Sequence, residues 1–271
     1  MHRISVCVLA SMTFGASIVT AQPPADSTSL VAQGVALDLD GHYAEARAKL
    51  SQAIDQAPTD SAKAQPRRAL AVSYAFTCET REVTRYERQV IDAATVKKDF
   101  NGAADVSNEL ARMLLECGDV NDALRTYRSG HDLALRQQSL SDSAKDLWDF
   151  RWEHAQARIA ARRGQAGDAR AHVAAAKAIL DKGTNPDQRR FFPYLTGYVA
   201  LYTGDAKSAI SDLEQADQRD PFILCLLAIA HERSGDASAA TPYYRKILDL
   251  KAHSPGMAYA RPMARRKLAT T

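Results

Sequence analysis

The feature that constrains this chain most is a glycine followed by a small or polar residue, at Gly41-His42, Gly118-Asp119, Gly164-Gln165, Gly204-Asp205 and Gly235-Asp236. The surroundings of these glycines are in phase. Five residues after each stands Ala46, Ala123, Ala169, Ala209 or Ala240, and seven before each stands Gly34, Ala111, Ala157, Gly197 or Ala228. Nine residues after comes a larger side chain, Leu50, Tyr127, Val173, Leu213 or Tyr244. Small residues on both sides of a turn let two antiparallel helices approach closely, and the larger one fills the space beside them. The glycine supplies the left-handed backbone that ends the first helix, and the polar residue after it can cap the second. Pro58 and Pro221, each seventeen residues past their turn glycine, are expected to stop the second helix of their units.

The turn glycines are 77, 46, 40 and 31 residues apart, so the first interval holds a further, degenerate unit. Its turn is predicted near Cys78, which puts Ala71 seven before and Val83 five after. The whole pattern resembles tetratricopeptide repeats. Gly34, Leu37, Gly41, Tyr43, Ala46, Leu50, Ala53, Ile54 and Pro58 follow that motif across 27–60, and Gly197, Gly204, Ala209, Leu213, Ala216 and Pro221 follow it again. The resemblance implies an all-α, right-handed superhelical solenoid of about six helix-turn-helix pairs. The units fall at about 27–60, 61–98, 101–138, 142–183, 188–221 and 222–255, with 61–98 and 142–183 departing most from the motif. A capping helix at 256–268, with Met257, Ala260 and Met263 on one side, is expected to cover the exposed end of the stack.

The first twenty-one residues differ from the rest: Arg3, an apolar run from Ile4 to Val19, then Val19-Thr20-Ala21. That order matches a secretory signal, so cleavage is expected after Ala21, with a periplasmic or secreted mature chain, 22–271, forming one domain. The run falls short of the roughly 20 apolar residues that span a bilayer, and Ser5, Ser11 and Thr13 interrupt it. No stable membrane insertion is expected once it is removed; an uncleaved anchor is the competing reading. Without Arg3, the 35 Lys and Arg fall to 34 against 32 acidic residues. Nucleic-acid binding, which draws on a concentrated basic face, has no support in that balance. The basic stretch Arg261 to Lys267 reads as a solvated face of the last helix, favoured by the helix dipole.

Three of the four cysteines follow the signal segment. Cys78 and Cys117 lie at the turns of consecutive units and so on one edge of the stack. A disulfide between them requires facing positions, because Cα atoms must come within roughly 5.5 Å; otherwise both are free thiols. Cys225, in Phe222-Ile223-Leu224-Cys225-Leu226-Leu227, reads as buried and inert.

No His-Glu-x-x-His, phosphate-cradling glycine loop or Gly-x-Ser-x-Gly elbow occurs, so no catalytic residue, metal ligand or cofactor site is assigned and the chain is read as a non-enzyme. The tetratricopeptide resemblance implies that the first helix of each pair lines a concave groove. Its exposed positions then include Asp105, Asn108, Arg112, Leu115 and Glu116 in the third unit and His154, Arg158, Ala161 and Arg162 in the fourth. In the fifth they include Tyr194, Tyr198, Leu201 and Tyr202. Basic beside aromatic suits an acidic or carboxylate-bearing peptide, while tyrosines at helical spacing also suit packing between helices. Trp148 and Trp152 carry the same two readings. The leading expectation is an exported adaptor for a protein or peptide partner. The alternatives are a self-associating, homo-oligomeric envelope component and an enzyme with an unfamiliar helical site.

Overall fold

Residues 26–269, those described in this computed structural model, form six antiparallel helix pairs and a closing helix. The pairs are α1 (Ser27–Asp40) with α2 (Tyr43–Gln56), α3 (Ala64–Ala75) with α4 (Thr80–Val96), and α5 (Phe100–Glu116) with α6 (Val120–Leu135). They continue with α7 (Asp142–Arg162) and α8 (Ala166–Asp181), α9 (Phe192–Tyr202) and α10 (Ala206–Leu213), and α11 (Pro221–Arg233) and α12 (Ala237–Asp249). A 3-10 segment, Pro186–Phe191, precedes α9, and α13 (Pro255–Ala269) ends the stack. Among the described residues there is no strand, and no helix is long and apolar enough to cross a membrane.

All six turns are built alike. The residue at the bend has positive φ, and the next residue donates its N–H to the carbonyl five positions back, from His42 to Leu37 through Asp236 to His231, at 2.9–3.1 Å. This satisfies carbonyls that the helix end would otherwise strand. In the second unit Cys78 takes the glycine's place with φ 54°, and Glu79 donates to Tyr74 at 3.1 Å. The alanines five residues on, and Val83 with them, are buried in every unit. The small residue seven before the turn is needed for contact: a Cβ on Gly34 would stand 2.6 Å from Leu50 Cγ, and one on Gly197 2.6 Å from Leu213 Cγ. Each of these is the small-to-large pair that the phased pattern picks out.

Three expectations are corrected. Pro221 does not end a second helix; α10 stops at Leu213, and Pro221 opens α11 at its first turn, with Asp220 capping the Phe222 N–H at 2.8 Å. The last helix does not merely cover the end of the stack. It packs on α11 and α12 and also against α3 and α5, reaching back across the concave side. Nor is its basic stretch wholly solvated. Arg261 is buried; its Nε donates to Leu39 O at 2.7 Å and its Nη1 to Leu248 O at 2.8 Å and Leu250 O at 3.2 Å, so one guanidinium closes the C-terminal ends of α1 and α12. Arg265 adds a second bond to Leu39 O at 2.6 Å. Before α13, His253 Nε2 meets Asp38 Oδ2 at 2.9 Å, while Ser73 Oγ donates to Asp38 Oδ1 at 2.7 Å. The first, second and last units therefore share one buried carboxylate.

Cys78 and Cys117 are joined, with Cα atoms 5.4 Å apart, so the turns of the second and third units are linked covalently. A loop of this size, 39 residues, constrains the unfolded chain, and removing such a bond typically costs about 3 kcal/mol. Cys117→Ser is expected to lose about that much in urea unfolding. Cys78→Gly should lose roughly 1 kcal/mol less, because glycine adopts positive φ without the side-chain penalty. Equal midpoints for wild type and Cys117→Ser would show that the bond contributes nothing.

Candidate functional site

Three of the first helices of the pairs carry side chains at four-residue spacing. Arg112 and Glu116 stand on α5, His154, Arg158 and Arg162 on α7, and Tyr194, Tyr198 and Tyr202 on α9. Residues four apart share a helix face, so packing α5, α7 and α9 side by side brings these ladders together. Arg162 donates to Glu116 Oε2 at 2.9 Å and to the Tyr198 hydroxyl at 3.3 Å, and Tyr198 donates to Glu116 Oε1 at 3.1 Å. Arg158 donates to the Tyr127 hydroxyl at 2.9 Å, the Tyr194 hydroxyl at 3.4 Å and the carbonyl of His154 at 3.4 Å. Arg112 lies over the Phe222 ring, 4.7 Å from its centroid, with Asp220 at 3.8 Å.

These side chains converge, but most do not line an open surface. His154, Arg158, Tyr194 and Tyr198 are buried, and Glu116 with them; Arg112, Arg162, Tyr202 and Asn108 are half-buried. The reason is the closure from the far end of the chain. Phe222 of α11 packs on Tyr194 and Tyr198, and Tyr259 of α13 packs edge-on against Phe222 at 5.4 Å. Gly256 permits this approach, since a Cβ there would stand 3.1 Å from Phe222 Cβ. Sequence offsets describe one repeat and its neighbour; they carry no information about a helix two or three units away that folds over them.

Burial sets the electrostatics. It pushes the Glu116 carboxyl up, against the pull of Arg162, Arg158 and Arg112. It pushes the phenols of Tyr127, Tyr194 and Tyr198 up as well, so they remain neutral donors and acceptors. His154 is held well below its ordinary value by burial first and then by Arg158 and Arg112, so its ring is neutral. Trp148 is buried, while Trp152 lies half-buried beneath Arg128 and stacks on His131. Cys225 is fully buried, its Sγ 3.5 Å from Met263 Sδ.

Two cavities lie close to these side chains. A groove of about 780 Å³ runs along α3, α4 and α5 to His253, with Val72, Val90 and Val106 among its apolar lining. A cleft of about 580 Å³ lies between α5, α7 and the 3-10 segment, reaching Asn108, His154 and Arg158. Arg68 and Glu109, which form an ion pair, line both.

Beside that pair lies a residue that the motif reading passed over. Glu87 stands nine residues after Cys78, at the position that Leu50, Tyr127 and Leu213 occupy in other units. It is fully buried and neither carboxyl oxygen has a hydrogen-bond partner. Counting nine from the degenerate turn would have found it. Burial, with Glu109 adding to it and Arg68 opposing, pushes its carboxyl up to about 8. The folded state therefore holds a proton that the unfolded chain releases above its ordinary value of 4.5, so stability falls as pH rises between those values. Thermal melts should show wild type losing stability from pH 5 to pH 8 relative to Glu87→Gln, and parallel curves would disprove the buried acid. Glu116→Gln leaves the partly desolvated Arg162 without its anion and is expected to cost about 3 kcal/mol in urea unfolding.

Residues 194–255 match the family model described as Tetratricopeptide repeat, a stretch that spans α9 to α12. No curated protein shows significant similarity to the chain.

Proposed function

This chain is a tetratricopeptide-repeat protein, and from that premise we infer that it is an exported, non-catalytic scaffold that holds an acidic segment of a partner protein. Repeats of this kind serve protein interaction, and their stacked pairs present an extended concave surface. The observation that carries the acidic partner is the charge of the open cleft. Arg68, Arg151, Arg158 and Arg190 line it against two carboxylates, Asp105 and Glu109. Both carboxylates are already engaged, Glu109 by Arg68 and Asp105 by Arg151 at 2.7 Å, which leaves a net positive mouth. Guanidinium forks exposed at such a rim pair with carboxylates in two-point geometry.

Export is supported by the basic-then-apolar start of the sequence and by the Cys78–Cys117 bond, since structural disulfides persist in oxidising compartments. The near balance of charges favours protein over nucleic acid as partner.

The buried arginines are unsuitable for testing this reading, because reversing Arg158 would place a carboxylate in the interior. Arg151 and Arg190 are exposed or nearly so. With residues 22–271 immobilised, the double reversal Arg151→Glu with Arg190→Glu is expected to weaken capture of a glutamate-rich peptide about tenfold, with an unchanged helical circular dichroism spectrum. Equal capture by the reversed chain, or equal capture of a lysine-rich peptide, would reject the acidic-partner reading.

A further inference from the structure

The cleft between α5, α7 and Pro186–Phe191 has an interior end that surface charge does not explain. Arg158 sits there 6% exposed, and no carboxylate lies within ion-pair distance of it among the described residues. Glu116 is taken by Arg162, and Asp220 faces Arg112. A buried cation with no carboxylate in contact is an expensive arrangement; Glu116 acts on it only from beyond ion-pair distance, and the tyrosine hydroxyls that it meets are neutral. A guanidinium carries five N–H donors. Three of those on Arg158 are used, toward Tyr127, Tyr194 and the His154 carbonyl, so two are free. Next to it the His154 ring, 9% exposed and lining the same cavity, touches Phe150 and Tyr194 and hydrogen-bonds to no other residue among those described. Unused donors thus converge at the floor of a cavity whose walls include Phe150 and Phe191.

We propose that this cleft binds a small molecule consisting of one carboxylate-type oxyanion on a planar, aromatic body. The oxyanion meets the free N–H groups of Arg158 and the ring N–H of His154, and the body lies against Phe150 and Phe191, with Arg190 at the mouth. The volume, about 580 Å³, suits a small ligand. Beyond Tyr194 the interior is filled by Phe222, which leaves no channel for an extended chain to pass through. The neutral state of His154 is compatible with this role, since the ring then offers one donor. Two free N–H groups on one planar fork match the two oxygens of a carboxylate. This site goes beyond the scaffold reading, because it requires no protein partner.

The same chemistry could be presented by a free small molecule or by the terminal carboxylate of a polypeptide ending in an aromatic residue. Isothermal titration of the mature chain separates them, using benzoate, its neutral isostere benzamide, inorganic phosphate, and a pentapeptide ending in phenylalanine with a free or amidated terminus. Benzoate is expected to bind and benzamide to fail. His154→Leu, which removes the ring donor, is expected to weaken benzoate about tenfold, roughly one charge-assisted hydrogen bond, with the helical circular dichroism spectrum retained. Arg158→Lys, which keeps the charge and loses the fork, should weaken benzoate more than it weakens inorganic phosphate. Equal binding of benzoate and benzamide, or no binding of either, overturns the small-molecule site. Binding of the free-terminus peptide alone overturns it too and assigns the floor to a polypeptide end. None of these ligands probes the reversal of Arg151 and Arg190 toward glutamate-rich peptide, so the scaffold reading stands or falls separately.

Discussion

One buried guanidinium organises the concave side of this molecule. Arg261 donates to three carbonyls at two helix ends that lie more than two hundred residues apart in sequence, Leu39 on one side and Leu248 and Leu250 on the other. The C-terminal carbonyls of a helix carry partial negative charge and need donors, and here one cation serves both helices. Everything inward follows from that placement. With α13 held across α3 and α5, Tyr259 reaches Phe222, and Phe222 packs on Arg112 of α5 and on Tyr194 and Tyr198 of α9. The surface between these helices is thereby filled around Tyr194 and Tyr198, while the groove along α3–α5 and the cleft beside α7 stay accessible.

The sequence made the hairpins readable for a physical reason. Contacts within a pair are local, so Gly34 against Leu50 and Gly197 against Leu213 recur at fixed offsets and repeat in phase. Even the degenerate turn at Cys78 could be placed, because Ala71 and Val83 keep their spacing around it. The inner surface was legible only in part. Arg158, Arg162, Tyr194 and Tyr198 could be brought to one face by counting, but their burial depends on α11 and α13, whose contacts with them have no periodic signature. Arg261 was hardest to read, since a basic run on a terminal helix has the same appearance whether it meets water or the carbonyls of a distant helix.

The second unit breaks the pattern twice. Cys78 replaces the turn glycine, and Glu87 replaces the large apolar residue that fills the space between the two helices. A carboxyl enclosed without hydrogen-bond partners weakens that pair, while the bond from Cys78 to Cys117 ties its turn to the third unit. A further tie runs from the first pair, where Arg47 donates to Glu79 at 2.8 Å. The least regular hairpin is thus held from both sides by groups at its turn.

The clasp formed by Asp38, Leu39, His253 and Arg261 also has a meaning in time. Its members are separated by 215 and 222 residues, so the hairpins that emerge first from synthesis cannot complete their own inner face. Each pair can form as it appears, because its contacts are local. Until the last helix arrives, however, the carboxylate of Asp38 and the carbonyl of Leu39 lack these distant partners and the inner surface of α3 and α5 stays uncovered. Completion of this fold therefore waits for His253 and α13, and a chain interrupted before them carries assembled hairpins around an unfinished interior.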